Sequence, residues 1–371
     1  MIERDFLLRA LLTEPTLLLS ATASQWDLLI RQARSANLLA RLANHFVEAN
    51  LLEIVPQAPR QHLISALRLV DRQNIAMRWE IDCIRKAVAD IEMPVILLKG
   101  AAYVLAELSS ARGRLFSDVD ILVPKHRLAD VESGLMLHGW RSLQYDEYDQ
   151  RYYRRWMHEI PPMRHVRRGT VIDVHHSILP PTARVKVNTE ALLAAAMPLA
   201  GHNSVYMLQP TDMFLHSATH LFHEGEFEKG LRDLFDLDSL LREFGCKDCF
   251  WEKLVPRALE LGLARPLFYA LRYTNSILGT PIPSGVLKDA MVARPRGALL
   301  HIMDFCYMHA LRPVHSSTDE TGTRLARFAL YLRSHWLRMP LHLLAYHLGR
   351  KALIRDNETT ADGNAPNIWN A

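Results

Sequence analysis

Asp118 and Asp120 stand two positions apart in the run Asp118-Val119-Asp120-Ile121-Leu122-Val123. In an extended strand, residues i and i+2 point to one face. Both carboxylates therefore leave the same side of a segment whose other members are apolar. Two adjacent negative charges repel, and burying them without compensation is costly. A divalent cation removes that repulsion, and Mg²⁺ takes one or two carboxylates together with substrate phosphates. On its own such a pair is often only a solvated turn, but two further features strengthen it. Ile172-Asp173-Val174-His175 is a second apolar strand interrupted by a carboxylate, and His175 shares the face of Asp173 while His176 faces away. Val95-Ile96-Leu97-Leu98 is an apolar run closed by Lys99-Gly100, a turn whose backbone amides can approach a phosphate.

Other groupings carry weaker chemistry. His216, His220 and His223 form one helical stripe, where a zinc site is conceivable, but no matching Cys or carboxylate cluster follows. Packing, or lining of a substrate cleft by His220, is the plainer reading. Arg232, Asp233, Asp236 and Asp238 can pair with one another, with Asp233 or Asp236 reaching a pocket if their helix covers one. Cys246 and Cys249 make a single Cys-x-x-Cys without the second pair zinc needs. Arg151, Arg154, Arg155, Arg164, Arg167 and Arg168, interleaved with Tyr152, Tyr153 and Trp156, read either as a nucleic-acid surface or as the solvent face of a hairpin.

The elements that must position these residues follow from periodicity. Residues 1–92 read as an N-terminal helical region, broken at Pro56 and Pro59. At Pro94 the pattern changes, and 93–209 reads as a small α/β unit. It has strands at 95–98 and 118–123, a helix from Ala101 to Leu108 and another from Arg127 to Leu137. Antiparallel strands are expected at 151–157 and 163–176, with a turn at Arg168-Gly169, and an edge strand at Ser204–Leu208. Residues 210–355 read as a C-terminal helical region. It opens with Thr211 as a cap and Asp212 in the first turn, and its last helix runs from Thr323 to Leu348. The polar stretch 356–371 reads as a disordered tail.

Composition bounds the answer. The chain has 371 residues, 49% hydrophobic and 23% charged, with net charge +4, the balance of an ordinary globular protein. The mild basic excess permits an anionic substrate without demanding one. Four cysteines in so long a chain argue against a disulfide scaffold. The charged N-terminus does not read as a signal peptide, and no uncharged apolar run is long enough for a membrane span. The cytoplasm is the expected location.

The runs LLKGAAYVLAE, RLFSDVDILV and VIDVHHSI together resemble the uncharacterised bacterial nucleotidyltransferases of the DNA polymerase β-like superfamily. Gly100, then Asp118 with Asp120, then Asp173 match the superfamily's order, and Arg114 and Ser117 match its Arg-x-x-Ser-Asp-x-Asp form. The likeness is specific over about 94–176 and looser to about 245. It implies an α+β fold, a small mixed-sheet polymerase-β-like core flanked by the two helical regions. It also implies a metal-dependent transfer of a nucleoside monophosphate from an NTP, with ATP the expected donor, releasing pyrophosphate. Asp118, Asp120 and Asp173 would be the catalytic and metal-binding residues, with Mg²⁺ or Mn²⁺ as cofactor. Lys99, Gly100, Ala101, Arg114 and Ser117 would bind nucleotide phosphates, and His175, His220 and Asp233 would touch the acceptor or support the ligands. The acceptor is open among small molecule, protein, RNA and carbohydrate intermediate. The superfamily places Gly-Ser or Gly-Gly at the turn, whereas Gly100 is followed here by Ala101. That departure motivates a second expectation, an inactive nucleotide-binding or interaction protein that retains the fold.

Overall fold

The computed structural model describes residues 6–12, 15–144, 146–202, 204–340 and 343. The tail expected at 356–371 and the end of the helix expected up to Leu348 lie outside them. Helices precede the sheet, as the periodicity requires. Thr22 opens the Ala23–Ser35 helix through a reciprocal pair of bonds: its hydroxyl accepts from the Gln25 amide, and Gln25 Oε1 accepts from the Thr22 amide at 2.8 Å. Leu39–Glu48 follows, and the long Gln57–Ala87 helix then starts immediately after Pro56. Pro59 falls in its first turn, where a missing N–H leaves no intrahelical bond unmade.

Seven strands form one mixed sheet: β1 (Val95–Leu97), β2 (Asp118–Leu122), β3 (Trp140–Ser142), β4 (Met163–His165), β5 (Val171–His175), β6 (Met197–Pro198) and β7 (Val205–Met207). Their order is β3-β4-β5-β2-β1-β7-β6. The two aspartate-bearing strands, β2 and β5, are parallel neighbours, with β1 antiparallel on the far side of β2. Val119, Ile121, Ile172 and Val174 are buried on one face of β2 and β5. Each such side chain stabilises by roughly 1.5–3 kcal/mol relative to exposure. A one-residue slip would put the aspartates in their place, so burial fixes the register.

The segment around Arg151 departs from expectation. It is a helix, Glu147–Trp156, not a strand. Asp146 caps it by accepting from the amides of Tyr148 and Asp149, with Glu147 and Asp149 in the first turn and Arg154 and Arg155 in the last. This charge order suits the helix dipole and outweighs the strand preference of the aromatics. The expected basic hairpin therefore does not exist as one surface. Arg154 binds Glu132 with both terminal nitrogens, and Arg168 binds Glu80 with two. Within the stretch expected to form that hairpin, β4 and β5 pair antiparallel, joined by a turn in which Gly169 has φ +72°.

Beyond the sheet, Pro210–His223 is the central helix of the C-terminal region, packed by Gly230–Phe244, Phe250–Glu260 and Ala264–Leu278. Its cap position is Gln209, with Pro210 at the first helical position, so Thr211 lies inside the helix and does not cap it. Asp212 does occupy the first turn, where Arg257 grips both of its oxygens at 2.7 and 2.8 Å. One hydrophobic core runs from Leu7 through the strands to Leu330, joining the N-terminal helices, the sheet and the C-terminal helices. Among the described residues, no helix is long and apolar enough to cross a membrane.

Candidate active site

The register of β2 and β5 builds the centre. Asp118 pairs with Val171, Asp120 with Asp173, and Leu122 with His175. In-register partners share a face, so Asp118, Asp120, Asp173 and His175 converge on one side of the sheet. They line a cavity of about 410 Å³, together with Lys99, Gly100, Arg114, Ser117, His220 and Asp233. Every residue expected at the site reaches this cavity except Ala101, which is buried in the core beneath it.

The β1 turn is strained where it meets the cavity. Lys99 has φ +42°, in the left-handed region, and opens the Lys99–Leu105 helix. A non-glycine residue held there costs on the order of 1–3 kcal/mol, and such strain clusters at functional sites. Gly100 needs to be glycine, because a Cβ would lie 2.5 Å from the Phe116 ring. The same Cβ position is 3.6 Å from Arg114 Nη1, so that nitrogen faces the turn. Arg114 is otherwise anchored. Its Nε donates to Asp236 at 2.9 Å, and its guanidinium lies over Phe116, 5.3 Å from the ring centre. Arg41 reaches Asp236 as well, at 3.1 Å, which ties the Leu39–Glu48 helix to the site.

Charge is distributed unevenly among the carboxylates. Burial disfavours the charge on Asp120, but Lys99 and a hydrogen bond from His175 outweigh it and hold that carboxyl well below its usual range. Asp173 goes the other way, pushed up to about 8 by burial and then by Asp120 and Glu159. Its Oδ1 is buried with no hydrogen-bond partner. His175 lies between two acids, Nε2 at 3.2 Å from Asp120 and Nδ1 at 3.3 Å from Glu159. Burial opposes its charge, but these two carboxylates raise its pKa. At the cavity's other side, His220 contacts Glu224 at 3.0 Å, and Arg232 pairs with Asp233. Glu224 is held low against its burial by His220 and Arg338.

The weaker groupings separate. His216 and His223 are buried away from the cavity, and only His220 of that stripe lines it. Asp236 and Asp238 are structural, with Asp238 bound to Arg242 at 2.8 Å and accepting from Thr280 at 2.6 Å. Asp233 reaches the cavity. Cys246 and Cys249 are exposed and free. Sequence reading misses His158, Glu159, Glu224 and Arg338. The first two arrive through an isolated bridge pairing Glu159 with His175, and Arg338 arrives from the Thr321–Arg338 helix. The adjacent His158-Glu159 before Pro161-Pro162 is the one signal that could have found them.

A mixed sheet that converges three carboxylates on a cavity beside a glycine turn and basic side chains has the form of a group-transfer site. The chain belongs to the family described as uncharacterised nucleotidyltransferase, whose model matches residues 22–279. The match extends beyond 94–176 at both ends, taking in the N-terminal helices from Ala23 and the C-terminal ones to Leu278. Neither curated proteins nor solved structures give a match. Membership supports transferase activity of the nucleotidyl class in general.

Proposed function

We propose that the chain is a metal-dependent nucleotidyltransferase with a polymerase-β-like core, which moves a nucleoside monophosphate from an NTP, ATP by expectation, to an acceptor and releases pyrophosphate. The observation that carries this reading is the in-register pairing of Asp120 with Asp173 beside Asp118, on one face, in a cavity floored by the Gly100 turn. The residues fit a divalent cation: three carboxylates share a small space, and the buried Asp173 Oδ1 has no partner. Asp118, Asp120 and Asp173 would hold Mg²⁺ or Mn²⁺. Such ions, when bound, polarise the phosphoryl oxygens and stabilise the attacking and leaving oxygens.

The chain's own groups do the rest. Lys99 and Arg114 Nη1 face the turn where phosphates would lie and offset their charge, the Arg with fork geometry suited to two oxygens. Gly100 keeps the backbone open for close approach. The Asp173 carboxylate would also take the acceptor's proton as the new bond to phosphorus forms. His175 fixes the Asp120 carboxylate through Nε2. The test is incubation of the wild type with labelled NTPs and extracts, followed by mass spectrometry of whatever carries the label. The reading expects a labelled acceptor that disappears in Asp118→Ala/Asp120→Ala. The burial of Ala101 favours a second reading, since no hydroxyl at that position reaches the cavity. Tight NTP binding with no labelled product would mark an inactive nucleotide-binding protein.

A further inference from the structure

We infer that His158, Glu159 and His175 form a second metal site, distinct in ligand chemistry from the three aspartates and suited to a zinc-class transition ion. One ligand atom from each of the three lies within 4.8 Å of the others. The His175 Nδ1 to Glu159 Oε2 separation is 3.3 Å. Two ligands about 2.1 Å from one ion at angles between square and tetrahedral stand roughly 3.0–3.4 Å apart, so this pair already has the required spacing. His158 needs only a small ring movement to join them, and its Nδ1 is buried with no hydrogen-bond partner. Its ring packs against that of His175, 5.2 Å between centres and tilted by 33°.

The support around these ligands matches a metal-binding histidine. Ligating imidazoles nearly always direct the other ring nitrogen to a carboxylate or carbonyl, which fixes tautomer and orientation. His175 does this, with Nε2 on Asp120 Oδ1 at 3.2 Å while Nδ1 faces Glu159. The backbone is fixed as well, since His176 donates to the His158 carbonyl at 2.8 Å and Ile160 to the Val174 carbonyl at 3.1 Å. Two imidazoles with one carboxylate select zinc-class ions over Mg²⁺, which favours oxygen ligands. Three protein ligands leave a fourth position open, the pattern of reactive rather than closed sites. All three residues line the cavity, so that position faces the substrate space and suits a water or an acceptor hydroxyl.

The experiment uses Co²⁺ as a coloured zinc surrogate on the full chain in excess Mg²⁺, which occupies oxygen-ligand sites. The expected result is one Co²⁺ per chain with a visible d–d band, displaced by Zn²⁺. Glu159→Gln, which preserves shape, and His158→Ala should each weaken binding at least about 10-fold, whereas Asp118→Asn should leave the band unchanged. Circular dichroism checks that the variants fold, and Glu159→Gln keeps the test decisive if His158→Ala does not. No Co²⁺ band in the wild type, or a band that survives Glu159→Gln, overturns the site. So does a band that is lost in Asp118→Asn. Mg²⁺-dependent NTP binding is read separately, so failure here leaves the nucleotidyltransferase reading standing.

Discussion

Asp120 and Asp173 face each other in register across two parallel strands at the middle of the sheet, yet their carboxyls ionise in opposite senses. Asp120 is held charged by Lys99 and His175, while burial, Asp120 and Glu159 push Asp173 up to about 8. A fold that placed these groups for stability alone would not crowd them. The crowding is a cost that a cation held by the proposed ligands would relieve.

That cost is measurable. Between an unfolded value near 3.8 and a folded value of about 8, the folded Asp173 carries more proton than the unfolded one. Stability therefore falls as pH rises through this window. Asp173→Asn should stabilise the metal-free protein, with a gain that grows by up to about 1.4 kcal/mol per pH unit between pH 5 and 8. Urea unfolding in chelator at several pH values reads this directly. An Asn variant less stable than wild type at pH 8 contradicts the assignment.

His223 predicts the opposite slope. Burial, then Arg333 and Arg338, lower its pKa to about 3 from an unfolded value of 6.5. The neutral ring contributes stability that is present above pH 6.5 and lost as pH falls toward 3, at up to about 1.4 kcal/mol per unit. His223→Gln should flatten the acid limb of the stability curve. Buried His216 and half-buried His158, lowered in the same sense, leave a residual slope. Denaturant midpoints at pH 7, 6 and 5 for the two proteins decide it.

The Lys99 turn separates strain from function. Lys99→Gly relieves a left-handed backbone and should raise stability by about 1 kcal/mol or leave it unchanged, while NTP affinity drops because the cation is gone. Gly100→Ala should do the reverse to stability, since its Cβ meets the Phe116 ring, at a cost of about 1–3 kcal/mol. Thermal melts with and without MgATP check both. If Lys99→Gly proves more stable and keeps wild-type NTP affinity, Lys99 is removed from the phosphate site.

The parts of this architecture that are legible in the sequence are those with local causes. The β2 and β5 strands are readable because alternation with buried Val119, Ile121, Ile172 and Val174 leaves the aspartates only one face. The Gly100 turn is readable from a short apolar run and its punctuation. Residues 151–157 read wrongly as a strand because aromatic residues favour strands, whereas the Asp146 cap and the order of charges make 147–156 a helix. Thr211 reads wrongly as a cap because Pro210 already suits the first helical position. Glu224 and Arg338 are invisible because tertiary packing alone brings them to the cavity, and the His158-Glu159 pair is only a faint local signal, since no spacing along the chain encodes a bridge between Glu159 and His175.

The central claim is that Asp118, Asp120 and Asp173 hold a divalent ion that binds NTP. Isothermal titration of the full chain with ATP, in Mg²⁺ and then in chelator, tests it most directly. The account predicts binding in Mg²⁺ that vanishes in chelator and in Asp118→Ala/Asp120→Ala, with the variant still folded by circular dichroism. ATP binding of equal strength with and without metal, or unchanged in the double variant, would contradict it.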